Sequence, residues 1–313
     1  MMDFLFALLT NSDALLHSTL IAATPLLLAA LGETVVQRTG VINIGLEGIV
    51  LAGAFAGMVG CYFTGSPTIG LLWGGASGIV LALLFAGLTA GLGTDQIIIG
   101  VSLNLLVIGL TGVLYRGLFG VTGQALTVNA FSPLSFPFLS SLPLIGPVLF
   151  QHTAIVYLAL LLVPAIGFFL FRTRAGLQLR AVGEHPQAAE TLGISVIWVR
   201  SMALTVEGLL GGIAGSYLSL AYSNTFIEGM SAGRGFIALA IVLFGRWRPG
   251  GVLGGALLFG AATALQFHIQ ALGSALPYQW MLMLPYVLTL VTLAIAGTRT
   301  VAPSALGQAY QRQ

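Results

Sequence analysis

Residues 152–200 read HTAIVYLALLLVPAIGFFLFRTRAGLQLRAVGEHPQAAETLGISVIWVR. The run up to Phe171 is almost wholly apolar, and an apolar run of about 20 residues is what a helix needs to cross a hydrocarbon core of about 30 Å. The stretch from Arg172 to Arg200 then carries Arg172, Arg174, Arg180, Glu184, His185, Glu190 and Arg200. Only 6% of the chain is charged, so this one interval is the edge of a membrane span followed by a polar loop. A chain that gathers its charge into one internal loop is presenting that loop to a partner.

The same pattern extends over the whole sequence. Apolar residues make up 57% of the 313 and glycines number 42, and no series of alternating ten-residue segments suggests a barrel. The expectation is an all-α, polytopic transmembrane bundle in one domain, 1–313, with about nine membrane segments (eight to ten). They are placed at 14–36, 41–62, 68–92, 96–115, 152–171, 201–222, 234–248, 250–271 and 280–298. The seventh has a short apolar run, Phe236 to Phe244, so a half-helix buried in protein is the alternative there. Putting the 172–200 loop in the cytoplasm and alternating outward also places Arg38, Arg246, Arg248, Arg299 and Arg312 inside, and leaves Arg116 and Arg234 outside. By the bias of basic residues toward the cytoplasm, the N-terminus is then external and the C-terminus cytoplasmic. The start, Met1 to Asp13, has no basic residue and so lacks the head of a cleaved signal; the first span is expected to be retained.

Several chemistries are disfavoured. The sequence contains no lysine, so neither a P-loop nor a Schiff base can be built from it, and any ATP hydrolysis must come from another subunit. Cys61 is the lone cysteine, and no His or Cys spacing suggests a metal. No nucleophile and base stand together, so no catalytic residue is expected. The interval from Arg116 to Gln151, with Pro133, Pro137, Pro143 and Pro147, is expected to form a capping loop. Glycine pairs four apart, Gly53 with Gly57, Gly211 with Gly215 and Gly251 with Gly255, let helix backbones approach closely.

Polar residues inside spans normally face the bundle interior or a water-filled route. Glu33, Glu47 and Glu207 are the acids in or near the expected spans. Asn43 and Glu47, four apart, would share one helix face. An interhelical hydrogen-bond clamp is the first reading of Asn43 and Glu47 and stands level with a solute contact for Asn104; these three are the candidates for the solute path, and Glu207 is expected to be structural. Deep in the spans there is no basic residue of the kind a route for strongly anionic solutes would present, so a neutral or zwitterionic solute fits better.

Within the loop, Pro186 suits a first helical turn, Ala188 and Ala189 favour helix, and Gly193 can end it, which predicts a short helix over Pro186–Leu192. The stretch RAVGEHPQAAETLGI, 180–194, resembles the coupling loop in permease subunits of bacterial ABC importers of the branched-chain amino acid and ribose type. TGVINIGLEGIVLAGAFAG, 39–57, and GRGFIALAIVLFGRWRPGGVLGGALLFGAATALQ, 233–266, resemble the same family. The wording GVINIGLEG, with Glu47, is similar to the branch that works with a basic-membrane-protein type lipoprotein and carries nucleosides.

The resemblance implies a bacterial inner-membrane, multi-pass permease that imports solute by alternating access. It assigns Gly183, Glu184, Pro186, Ala188, Ala189, Gly193 and Ile194 to contact with an ATPase subunit that binds ATP and Mg; no cofactor is expected in this chain. A second, paralogous permease, an external substrate-binding lipoprotein and membrane lipid complete the implied partners, with no nucleic acid polymer among them. Simple sugars or branched-chain amino acids are the alternative solutes. The rival from another class is a channel or secondary carrier working without ATP, which leaves the form of the loop unexplained.

Overall fold

The computed structural model describes residues 12–120, 126–135, 145–271 and 302–310, with isolated helical positions between 279 and 294. Helix α1 spans Ser12–Gln37, α2 Leu46–Thr64, α3 Pro67–Ala86 and α4 Gln96–Phe119. Two-residue strands β1, Leu134–Ser135, and β2, Gln151–His152, pair antiparallel around the short helix α5, Ile145–Leu149. Helix α6 spans Ala154–Arg172, α7 Arg174–Glu184, α8 Pro186–Thr191, α9 Val196–Tyr217, α10 Arg234–Phe244 and α11 Pro249–Ala271. Helices α3 and α9 each run on into one π-helical turn, Gly87–Gly91 and Leu218–Tyr222.

Among the described residues, 7 helices are long and apolar enough to cross a membrane: α1, α2, α3, α4, α6, α9 and α11. Seven of the expected spans thus have a helix at their position. Helix α10 is only 11 residues, or about 16 Å at 1.5 Å per residue, half of a crossing. The expected last span, 280–298, lies for the most part outside the described residues, as do Pro137, Pro143, Arg299 and Arg312.

The centre of the bundle is α9 packed on α1, α2 and α3, with α11 closing on α1. Small residues set these contacts. A Cβ on Gly53 of α2 would lie 2.6 Å from Gly212 Cα of α9, and one on Gly212 would lie 3.0 Å from Gly75 Cα of α3. Three helices therefore meet backbone to backbone where a larger residue has no room, and dispersion between close backbones holds them. Helices α4 and α6 turn most of their length outward and carry exposed Leu105, Val113, Leu161 and Phe168, as lipid-facing helices do.

Depth in the bundle can be read from these packings. Leu46 and Ile49 of α2 lie against Gly211, and Gly57 lies against Ser216, so α2 and α9 run parallel. The first turn of α2 is level with the middle of the 27-residue span Val196–Tyr222. Helix α2 was expected to begin at 41; it begins at Leu46, because Thr39 to Gly45 turn back into the bundle as irregular chain. Asn43 is consequently not on the helix, and it does not share a face with Glu47.

Candidate functional site

The loop between α6 and α9 folds as two helices. Thr173 caps α7, its Oγ1 accepting from Gly176 N at 3.0 Å. Gly183 lies against the backbone of Arg38 and Gly40, so α7 docks on the turn that follows α1. Helix α8 begins at Pro186 and ends at Thr191, with Gly193 in left-handed backbone at φ +82°, the C-terminal geometry that glycine adopts without strain. Its placement matches the short helix expected at 186–192. The longer α7 was missed, though its signal is present: in RAGLQLRAVGE, Gly176, Leu179, Val182 and Gly183 recur at helical spacing and are buried.

The expected contact residues divide into two sets. Glu184, Ala188 and Gly193 are exposed, whereas Gly183, Pro186 and Ala189 are buried and Ile194 is half-buried. The first set forms an outward rim and the second anchors it. Gln187, Thr191 and Leu192 belong to the same rim, and Leu192 is 81% exposed, a large apolar group held out from a polar loop. A cavity of about 160 Å³ lies at the end of α8 among Glu190, Gly193, Ile194 and Ser195.

A second feature was not legible in the sequence. Residues 302–310 strap the loop to the bundle. Ala305 N donates to Gly183 O at 3.0 Å and Gly307 N to Gly40 O at 2.9 Å. Ser304 Oγ donates to Glu184 Oε2 at 2.9 Å, and the Tyr310 hydroxyl donates to Glu190. Tyr310 packs with Val182, Ala189 and Val196. Arg200 joins the strap to the bundle, donating from Nη1 to Gln308 O and from Nε to Thr39 O, each at 3.3 Å.

Above this end lies a dry polar cluster. Glu33 Oε1 accepts from Gln37 Nε2 at 2.7 Å and from Asn43 N at 3.3 Å. Asn43 Nδ2 donates to Glu207 Oε2 at 2.8 Å, and its Oδ1 accepts from Gly45 N at 3.0 Å. Glu33, Asn43 and Glu207 are each 0% exposed. Gln37 Oε1 accepts from Trp247 Nε1 at 2.6 Å, and Arg38 donates twice to Trp247 O, at 3.1 and 3.0 Å. Arg246 and Trp247 both hold left-handed backbone, φ 53°, a strained turn that persists where its surroundings fix it. Burial, with Arg180 and Arg248 nearby, lowers the Arg38 guanidinium from its ordinary value.

The remaining path candidates are also bonded to protein. Asn104 Oδ1 accepts from Gly48 N at 2.7 Å and its Nδ2 donates to Ile44 O at 2.9 Å, a two-point clamp on the start of α2. Glu47 Oε1 accepts from Gly233 N at 2.8 Å and Oε2 from Gly235 N at 2.7 Å. Glu47 therefore caps α10 at mid-depth, where a negative group meets the positive end of a helix. The three residues come together around one element, the irregular entry to α2.

Comparison with known proteins places the chain in a family. The family model described as branched-chain amino acid transport system, permease component, matches residues 15–293. A putative glucose ABC transporter permease of Haloferax volcanii is 41% identical over 96% of this chain and 98% of its own. A guanosine ABC transporter permease of Bacillus subtilis is 36% identical over 94% of this chain and 95% of its own. A nucleoside ABC transporter permease of Lactococcus lactis is 36% identical over 93% and 94%. The last two organisms each hold a second, more distant relative, at 27% and 28% identity. No solved structure matches the chain. With the family model covering most of its length, and helices, polar loop and re-entrant half-helix in one bundle, the chain belongs to the branched-chain amino acid transport system permease component family.

Proposed function

We propose that this chain is the membrane subunit of an ATP-driven importer, that it pairs with a second permease, and that it carries nucleosides inward across the bacterial inner membrane. The observation that carries the coupling reading is the rim of Glu184, Gln187, Ala188 and Leu192, exposed on a short helix that Gly183 and residues 302–310 tie to the turn after α1. A push or pull on α8 reaches Gly40 through Gly183 and through the strap at Gly307 and, three residues on, Asn43 between Glu33 and Glu207.

On this reading Glu184, Ala188 and Gly193 touch the ATPase subunit, which binds ATP and Mg, while Gly183, Pro186, Ala189 and Ile194 seat the helix. The polar loop lies in the cytoplasm, the N-terminus outside and the C-terminus inside, with about nine membrane segments. Arg38, Arg180 and Arg248 gather at the loop end, as the bias of basic residues toward the cytoplasm requires. An external binding lipoprotein delivers solute to the opposite end. Asn43, Glu47 and Asn104 shape the path by holding its backbone.

Nucleosides are supported by the near full-length likeness to permeases named for guanosine and for nucleosides. The second, more distant relative in each of those organisms supports a paralogous partner. Glucose is the second reading, favoured by the relative at 41% identity. Uptake into vesicles carrying this chain with its partner permease, ATPase and binding protein, using labelled guanosine, glucose and leucine, decides between them. ATP-dependent guanosine uptake supports the nucleoside reading, and glucose or leucine uptake alone removes it.

A further inference from the structure

Between the end of α9 and the start of α10 the chain returns into the bundle over Ser223 to Gly233 with neither helix nor strand. Asn224, Gly229, Ala232 and Gly233 all hold left-handed backbone. Glu47 fixes the lower end at mid-depth through Gly233 and Gly235. Lipid offers irregular backbone no hydrogen-bond partners, so such chain persists in a membrane only where protein buries it or water reaches it. Yet Ile227, Gly229, Ala232 and, in the first turn of α10, Phe236 are exposed among the described residues. In a membrane that side of the segment needs either a second protein surface or a water-filled route.

Arg234 stands on the same segment. It is half-buried, lies 5.7 Å from the ring centroid of Tyr222, and donates from Nη1 to Met230 O at 2.9 Å and Ser231 O at 3.2 Å. Among the described residues no carboxylate pairs with it, and its other nitrogens make no hydrogen bond. The amides at the start of α10 are already taken by Glu47, so an anion gains nothing there. What remains is a guanidinium edge beside an aromatic ring, between the depth of Glu47 and the end of the span at Tyr222, and a charge within a span marks a route for solute.

We propose that this side lines the aqueous route between permeases, that Arg234 and Tyr222 form a solute contact on it, and that the contact selects nucleosides whose base presents two adjacent acceptors, the O6 and N7 edge of a 6-oxopurine. The selection rests on the nucleoside reading above. A guanidinium fork matches that edge with two parallel N–H donors, and a base so held lies beside the tyrosine ring, where stacking adds affinity without further selection. An adenine edge offers a donor at position 6 and meets the fork poorly.

The test is uptake of labelled guanosine, inosine and adenosine by the full complex, with KM and maximal rate separated, for the natural protein and for Arg234→Lys, Arg234→Gln and Tyr222→Leu. Complex yield by size-exclusion chromatography reports assembly. Arg234→Lys keeps the charge and loses the fork, so guanosine KM should rise about tenfold or more, and by a larger factor than adenosine KM. Arg234→Gln should move the preference toward adenosine, and Tyr222→Leu should raise KM for all three. Unchanged guanosine KM in both arginine variants would overturn the contact while leaving nucleoside transport standing. Equal loss of all three solutes together with lost assembly in both would make Arg234 structural and also overturn it. A natural complex that moves glucose and no nucleoside would remove the nucleoside reading and the contact together.

Discussion

At the scale of single residues, the buried amides and acids of this chain act on backbone and on one another. Asn43 supplies both acids of the cluster, Glu33 through its amide N–H and Glu207 through Nδ2. Removing the side chain takes away the amide donor of Glu207 and leaves it only the neighbouring Glu33 carboxyl, and a buried polar group stripped of a partner costs about 1–3 kcal/mol. Asn43→Leu should therefore lower the melting temperature of the assembled complex sharply, and a melt within a degree or two of the natural protein would show that the cluster contributes little. Glu47→Gln keeps the shape but loses one acceptor at the α10 cap; a lost cap costs about 1 kcal/mol, so the complex should assemble with a modestly lower melting point. Polarity at membrane depth, and a hydrogen-bond clamp as one role for it, were readable from the sequence for Asn43, Glu47 and Asn104, and the partners were not. Whether an asparagine faces a cavity or clamps a backbone depends on partners more than fifty positions away, such as Gly48 for Asn104.

At the scale of elements, spans were legible wherever hydropathy alone decides, and their boundaries were less so where the chain breaks inside the membrane. Thr39 to Gly45 read as the start of a helix because Val41, Ile42 and Ile44 are apolar, yet Glu33, Gln96 and Arg200 hold this stretch as irregular chain. The half-helix was visible as a short apolar run and its cap was not. The strap at 302–310 carries no motif, and its pairing with α7 and α8 exists only in three dimensions. Ending the chain at Thr300 should leave the permease in the membrane but lower solute uptake per ATP hydrolysed, as measured in vesicles; an unchanged ratio would mean the strap is packing alone. Gly212→Leu, by contrast, puts a side chain where α2, α3 and α9 meet, and should abolish accumulation of the folded protein on immunoblots of membranes.

At the scale of the whole molecule, the fold joins the exposed rim at one end to the buried acids Glu33 and Glu207 through one continuous set of contacts: α8, the strap, the turn after α1 and Asn43. Orientation is tested by labelling with an impermeant thiol reagent in a Cys61→Ala background. Leu192→Cys should react only when the cytoplasmic face is open to the reagent, and Ala130→Cys, an exposed position near the bridge between Thr127 and Thr225, only from outside. The reverse pattern would invert the topology. The central claim is that the rim on α8 takes force from an ATPase. It is tested most directly by solute-stimulated ATP hydrolysis in the assembled complex carrying Ala188→Trp or Leu192→Asp, exposed positions whose change disturbs no internal contact. The account predicts that stimulation is lost while the permease pair still assembles. Full stimulation in both variants would contradict it.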